Sequence, residues 1–334
     1  YSSRKLTIEN VNFVFDETNF NGQGTLSIGK EYNLSQAIVD FSLESEEINY
    51  KKAAQYFEFE LPVKGDLEPS IDISGKLSNI EAAGYFISSN TEVNYDGKTY
   101  KFEHVEATVT GSLEENRLEL INGVIRKDDL NIQLKGTYQD NNIDFNFAAD
   151  NFALEELQLI EEASGILDIE GKITGGINNP QVSFNFISNN FRYNRFLAEE
   201  FTGQVTYNND TIKFKDVKLK RRSSNYLLTG SINDITENGK QTVDIEISTD
   251  RGNTREIINF MDYSSPYSIN YPFSGSVNLT GNLTEPTFVL DLSVINNFVD
   301  IIEIKGKISN KIDLNITGDK VPLDLIKSAD LINT

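Results

Sequence analysis

No cysteine and no tryptophan occur in the chain, and histidine and methionine occur once each, as His104 and Met261. Without cysteine there are no disulfides, no thiolate metal sites and no thiol nucleophile. That suits any compartment, an oxidising one included. A single histidine leaves almost nothing from which to build a Ser-His-Asp triad or a zinc centre. Positive charge is scarce too: 30 Lys and Arg stand against 51 Asp and Glu, a formal net charge of −21. Phosphate neutralisation needs clustered cations, so the composition argues against nucleic acid as a partner. Charge alone does not hold such a chain on an anionic leaflet either. The acid excess keeps a large β surface soluble and protects its edges. No apolar run approaches the roughly 18–20 residues that span a bilayer. The opening, YSSRKLTIENVNF, has no apolar signal core and begins in a strand-like pattern, so the chain reads as a piece of a longer protein.

What is present is alternation. IDISGKL (71–77), LNIQLKG (130–136), NIDFNFA (142–148), VDIEIS (243–248), FVLDLSV (288–294) and IDLNITG (312–318) each put apolar residues on one side and polar ones on the other. That is the pattern of a strand with one dry face and one wet face. Turn signals separate the strands, at Asp96-Gly97, Asn141-Asn142, Asn208-Asn209-Asp210 and Asn238-Gly239. Strands recur about every ten residues, which predicts an antiparallel all-β meander without βαβ units.

The alternation carries a repeated interruption. Leu6, Ile8, Val11 and Phe13 read apolar-x-apolar-x-x-apolar-x-apolar, and so do Ile212, Phe214, Val217 and Leu219. Leu118, Leu120, Gly123 and Ile125 form a degraded copy, and Tyr100, Phe102, Val105 and Ala107 a looser one. In the first three, a glycine (Gly24, Gly230, Gly136) follows the first apolar residue by 18 positions. One extra residue would send the second half of the strand to the wrong face unless a β-bulge or bend restores it. A second marker is a strand, a polar turn and a helix-like stretch, at 41–57, 145–165, 245–261 and 314–331. In the third copy Ile257, Ile258 and Met261 have helical spacing behind a candidate cap, Thr254. Ser164-Gly165 and Ser274-Gly275 follow two of the copies, each leading to a proline turn at Pro180 or Pro286. The repeat units are therefore 1–57, 58–164, 165–273 and an incomplete 274–334. A row of such strands must bury its apolar face by closing, by pairing with another sheet, or by bending into a trough.

The phrases ILDIEGKITGGINNPQVSFNFISNNF, FTGQVTYNNDTIKFKDVKLKRRSSNYLLTGSI and FSGSVNLTGNLTEPTFVLDLSVINN resemble the TamB and AsmA-like superfamily. The glycine-rich entry, the proline turn and the later strand fall at Gly171, Gly175, Pro180, Gly203 and Tyr207. The third unit departs from the pattern at SVINNFVDIIEIKGKI, and neither the membrane helix nor the closing segment typical of TamB is among these residues. The resemblance implies one continuous, elongated β-groove over residues 1–334, U-shaped in section, with an apolar interior and a few short helical segments. It implies a non-enzymatic, cofactor-free carrier of phospholipid acyl chains between the inner and outer membranes of a diderm bacterium. The full-length protein would sit in the periplasm, anchored to the inner membrane through parts outside this chain. An outer-membrane β-barrel protein is a further partner the resemblance implies.

Alternation selects the groove lining as Ile132, Leu134, Phe145 and Phe147, then Val182, Phe184 and Phe186, then Ile212 and Phe214. Val243, Ile245, Val277, Leu279, Leu290 and Leu292 complete it. Two other readings use the same residues. One is a scaffold or chaperone for outer-membrane protein assembly, whose strand edges pair with client strands. The other is a β-solenoid adhesin or carbohydrate-active protein, which should place carboxylates and aromatic rings together on one exposed face. Three features have plainer explanations than function. His104, between Glu103 and Glu106, reads as a surface or filler residue. The basic cluster Lys218 to Arg222 reads as a solvated strand end. The helix-like stretches read as caps over a sheet edge, with plugging or rimming the groove, or gripping a neighbouring protein, as the alternatives.

Overall fold

A computed structural model describes residues 4–15, 18–29, 33–45, 47–50, 63–95, 98–112, 114–157, 162–236, 239–260, 270–296, 300–309 and 311–318. The protein is all-β. Among the described residues, an antiparallel sheet of 20 strands stands with two sheets of three short strands. The chain divides into two compact units, residues 1–150 with 172–180, and residues 151–171 with 181–334.

Unit one opens with β1 (Arg4–Phe15), β2 (Thr18–Ile28), β3 (Ile38–Ser45), β4 (Ile48–Asn49) and β5 (Val63–Lys64). It continues with β6 (Asp66–Lys76), β7 (Asn79–Ser88), β8 (Thr91–Tyr95), β9 (Lys98–Phe102) and β10 (His104–Ser112). The last three are β11 (Arg117–Lys127), β12 (Leu130–Gln139) and β13 (Asn142–Ala153). The pairing is a meander, β1–β2–β3–β6–β7–β10–β11–β12–β13. Short polar turns make it possible. Gln139 pairs with Asn142, and Asp140 and Asn141 between them hold φ of 49° and 64°. Two left-handed residues in a row match the twist of a tight hairpin, and Asp and Asn tolerate that conformation.

The interrupted alternation is a β-bulge in all three clear copies. The register shifts between Ile8 and Val11, between Leu120 and Gly123, and between Phe214 and Val217. In each case two residues oppose one on the partner strand, so the apolar positions on both sides of the bulge stay on one face. The glycine lies opposite the second apolar residue in every copy: Ile8 with Gly24, Leu120 with Gly136, Phe214 with Gly230. In the looser copy the break falls between strands instead, with Tyr100 and Phe102 on β9 and Val105 and Ala107 on β10.

Unit two carries α1 (Leu154–Leu157), β14 (Ala163–Ser164), β15 (Ile166–Gly176) up to residue 171, β16 (Asn179–Ser188) from residue 181, β17 (Arg192–Tyr193) and β18 (Phe196–Leu197). Then come β19 (Glu200–Asn208), β20 (Thr211–Arg221), β21 (Ser224–Asn233), β22 (Thr242–Asn253) and α2 (Thr254–Phe260). The remaining strands are β23 (Pro272–Asn282), β24 (Thr287–Asn296), β25 (Asp300–Ile308) and β26 (Ile312–Thr317). From β16 the meander runs β16–β19–β20–β21–β22–β23–β24–β25–β26. Strands β14, β17 and β18 form one of the small sheets.

Helix α2 begins differently from the sequence expectation. Asn253, one residue before Thr254, is the cap: its side-chain oxygen accepts from the Arg255 N–H at 2.9 Å. The Thr254 hydroxyl accepts from the Tyr271 N–H at 2.9 Å instead, tying the helix start to the chain entering β23. The helix-like stretches at 51–57 and 319–331 lie outside the described residues.

Candidate functional site: an apolar cavity in unit two

Register shows what alternation alone could only suggest. On one face of unit two, Phe184 lies opposite Val205, Val205 opposite Phe214, and Gly230 between Phe214 and Ile245. Ile245 then faces Leu279, and Leu279 faces Phe288. A parallel row joins Phe186, Gly203, then Val217, Leu228, Ile247, Val277 and Leu290. Val182 heads a third row through Tyr207, Ile212, Ile232 and Val243, and Leu292 belongs to a fourth beside Gly275 and Ile304. All the candidate lining residues of this unit therefore share one face. Ile132, Leu134, Phe145 and Phe147 share one face of unit one, where Leu134 pairs with Phe147 and Gly136 with Phe145. Of the whole candidate set only Phe186 and Val243 are buried; the rest are half-buried.

The two units differ in what covers that face. Among the described residues, unit one buries four apolar side chains, Ala37, Val39, Pro69 and Ala149. Unit two has two packed clusters. One gathers Leu167, Phe186 and Val217. The other gathers Phe191, Phe196, Tyr226, Phe273, Val294 and Ile302 among others. Between them lies a cavity of about 490 Å³ whose lining surface is apolar. Phe184, Phe186, Phe214 and Ile245, expected from the sequence, line it. Val182, Ile212, Val243, Val277, Leu279, Leu290 and Leu292 share the face but do not border it.

The opposite wall was not legible in the alternation. It comes from β17, β18 and α2, through Tyr193, Phe196, Ile257 and Phe260. Phe260 packs against Tyr193 at 4.6 Å between ring centroids and against Phe196 at 6.0 Å. The Asn194 side-chain amide donates to the Phe260 carbonyl at 2.9 Å. Helix α2 is thus a wall of the cavity, which fits the rim alternative rather than the edge cap. A polar clasp fastens it to the sheet. The Tyr226 hydroxyl donates to Glu256 Oε2 at 2.8 Å and accepts from the Asn253 N–H at 3.1 Å. Burial, opposed by the Asn253 hydrogen bond and reinforced by the Glu256 carboxylate, pushes the Tyr226 phenol far above its ordinary range.

Arg221 completes the clasp. It lies on the apolar face with Val217 and Leu219, its guanidinium 5.5 Å from the Phe196 ring centroid and its Nε 3.8 Å from Glu256 Oε1. The basic run 218–222 is therefore not one cluster. Lys218 and Lys220 are exposed on the outer face, with Lys220 Nζ 3.9 Å from Glu200, while Arg221 turns inward.

Comparison with family models, curated proteins and solved structures found no match. The site's chemistry must be read from its own residues. His104 lies 3.4 Å from Glu106, a half-exposed pair on β10. No group of three or more His, Cys, Asp or Glu residues among those described could hold a metal. No helix among them is long and apolar enough to cross a membrane. Unit one carries a second cavity, of about 360 Å³, lined by Asp72, Glu81, Glu115, Arg117 and Glu119 with small neutral residues and no aromatic ring. A sugar-binding face would stack rings beside its carboxylates, and this one does not.

Proposed function

We propose that the chain binds lipid acyl chains on its continuous apolar sheet face and carries them by passive movement. In this reading the strands bend into a U-shaped groove, and the protein is a TamB- or AsmA-like carrier of phospholipids in a diderm envelope. The observation that supports it best is the apolar cavity of about 490 Å³ in unit two, inside the usual size range of small-molecule sites. Its floor is the same strand face that runs through β16 to β26. An acyl chain leaves water with a gain of about 0.8 kcal/mol per methylene, and an apolar wall asks for no specific head-group contact. Transfer along such a face needs no catalytic group, which suits a chain with one histidine and no cysteine.

The test is native mass spectrometry of the purified chain, followed by lipid extraction and by uptake of labelled phospholipid from vesicles. Co-purified lipid together with uptake supports the reading. A lipid-free mass with no uptake sinks it and leaves the apolar face satisfied by protein alone.

A further inference from the structure

We propose that the wall formed by β17, β18 and α2 sizes the occupant of the cavity, so that the cavity holds a single acyl chain and limits the length it buries there. This rests on the acyl-chain reading above. An apolar cavity of about 150 Å³ holds one benzene, six carbons. At about 490 Å³, this cavity corresponds to roughly three such volumes, on the order of twenty carbons. One chain of ordinary length fills it, and the second chain of a diacyl lipid would lie on the neighbouring strand face outside it. The lining is apolar, so a head group finds no partner inside and stays in water.

The wall is built to hold its position. Phe260 is fixed by the Tyr193 and Phe196 rings and by the Asn194 amide. The Tyr226–Glu256 hydrogen bond ties the same helix to β21. Yet Phe260 and Ile257 are 42% and 37% exposed, so trimming either enlarges the cavity without emptying the packed clusters. Phe260→Ala removes six carbons, about one benzene's volume. The longest chain accommodated should then grow by up to about six carbons.

The probe is a series of 1-acyl lysophosphatidylcholines of roughly ten to twenty-two carbons, titrated into the whole chain by calorimetry. Their net neutrality avoids repulsion from the acidic protein. In the parent protein affinity should rise about fourfold per methylene and then level off at a cut-off length. In Phe260→Ala and in Ile257→Ala the slope should persist while the cut-off moves to longer chains, by two carbons or more for Phe260→Ala. A cut-off that is absent in the parent, or unmoved in both variants with native circular dichroism, overturns the sizing role while leaving acyl binding intact. Failure of every chain length to bind overturns the acyl-chain reading itself.

Discussion

Phe184 and Phe186 sit two residues apart on β16 and on the same face, yet they should respond very differently to truncation. Phe186 is 6% exposed, packs with Leu167 and Val217, and lies 4.6 Å from the Phe201 ring centroid. Across the strand pair it meets Gly203, whose missing side chain leaves room for the ring. Phe186→Ala should cost about 3–5 kcal/mol, the usual range for emptying a packed aromatic site. Phe184 is half-buried and borders the cavity, so its removal leaves no new enclosed void. Phe184→Ala should cost about 1 kcal/mol, part of its transfer free energy. With a urea slope of about 2 kcal/mol per molar, the midpoints should fall by about 2 M and about 0.5 M. Far-UV circular dichroism is the assay, since the chain has no tryptophan. Phe184→Asp should fold like Phe184→Ala but lose lysolipid binding by more than tenfold, because the carboxylate keeps water in the cavity. Equal midpoint losses for the two alanine variants, or unchanged binding by Phe184→Asp, would refute the reasoning and make the whole face a closed core.

Three more outcomes are expected. Gly230 has φ of +142° and an added Cβ would meet the Asp244 carbonyl and come within 2.6 Å of Ile245 Cα, whereas Gly281 has φ of +101° with nothing within 4 Å. Gly281→Ala should cost about 1–3 kcal/mol from backbone strain alone, and Gly230→Ala about 1–3 kcal/mol more, read from urea midpoints. The raised Tyr226 phenol keeps its proton in the folded state after the unfolded chain has begun to lose it. Stability that is complete below about pH 10 should therefore fall as pH rises above it, by up to about 1.4 kcal/mol per pH unit. Tyr226→Phe should lack that part of the alkaline loss, visible by comparing urea midpoints of the two proteins from roughly pH 9 to 11. Asn253→Ala should cost about 1 kcal/mol by removing the α2 cap, and hydrogen exchange at Glu256 and Ile257 should speed up without change in β24.

The strand skeleton was legible because its signals are local. A bulge announces itself as an added polar residue inside an apolar alternation, as at Glu9-Asn10 and Lys215-Asp216. The tight turns at Asp140-Asn141 and Asn209-Asp210 use residues chosen for left-handed backbone. The sheet floor of the cavity follows from the same period-two rule, which also covers Ile247 after Ile245, Val205 beside Tyr207, and Leu228 between Tyr226 and Gly230. The wall followed from no such rule. Phe191 and Phe196 lie in SNNFRYNRFLAEE, where nothing alternates and the two-residue strands are too short to leave a pattern. Tyr226 and Glu256 stand 30 residues apart, one on a strand and one in the first turn of a helix. In sequence Glu256 resembles an ordinary dipole-compensating carboxylate. Its burial depends on which neighbour the helix meets, a tertiary fact. Asn253 rather than Thr254 as the cap shows the one-residue uncertainty of helix starts.

The meander also bears on how the chain reaches its fold. From β1 to β3 and from β19 to β26 each long strand hydrogen-bonds the strand that precedes it, and β20 with β21, or β23 with β24, closes over a link of a few residues. Contacts between near neighbours in sequence keep the loop-closure penalty small, a topology that favours fast assembly even for β proteins. Each hairpin can dock onto the one already formed as the chain lengthens from its N-terminus. A nascent chain therefore does not have to wait for its C-terminal strands before committing its first ones. The same economy means that adding or deleting a hairpin changes the extent of the apolar face while leaving the register of the strands before it untouched.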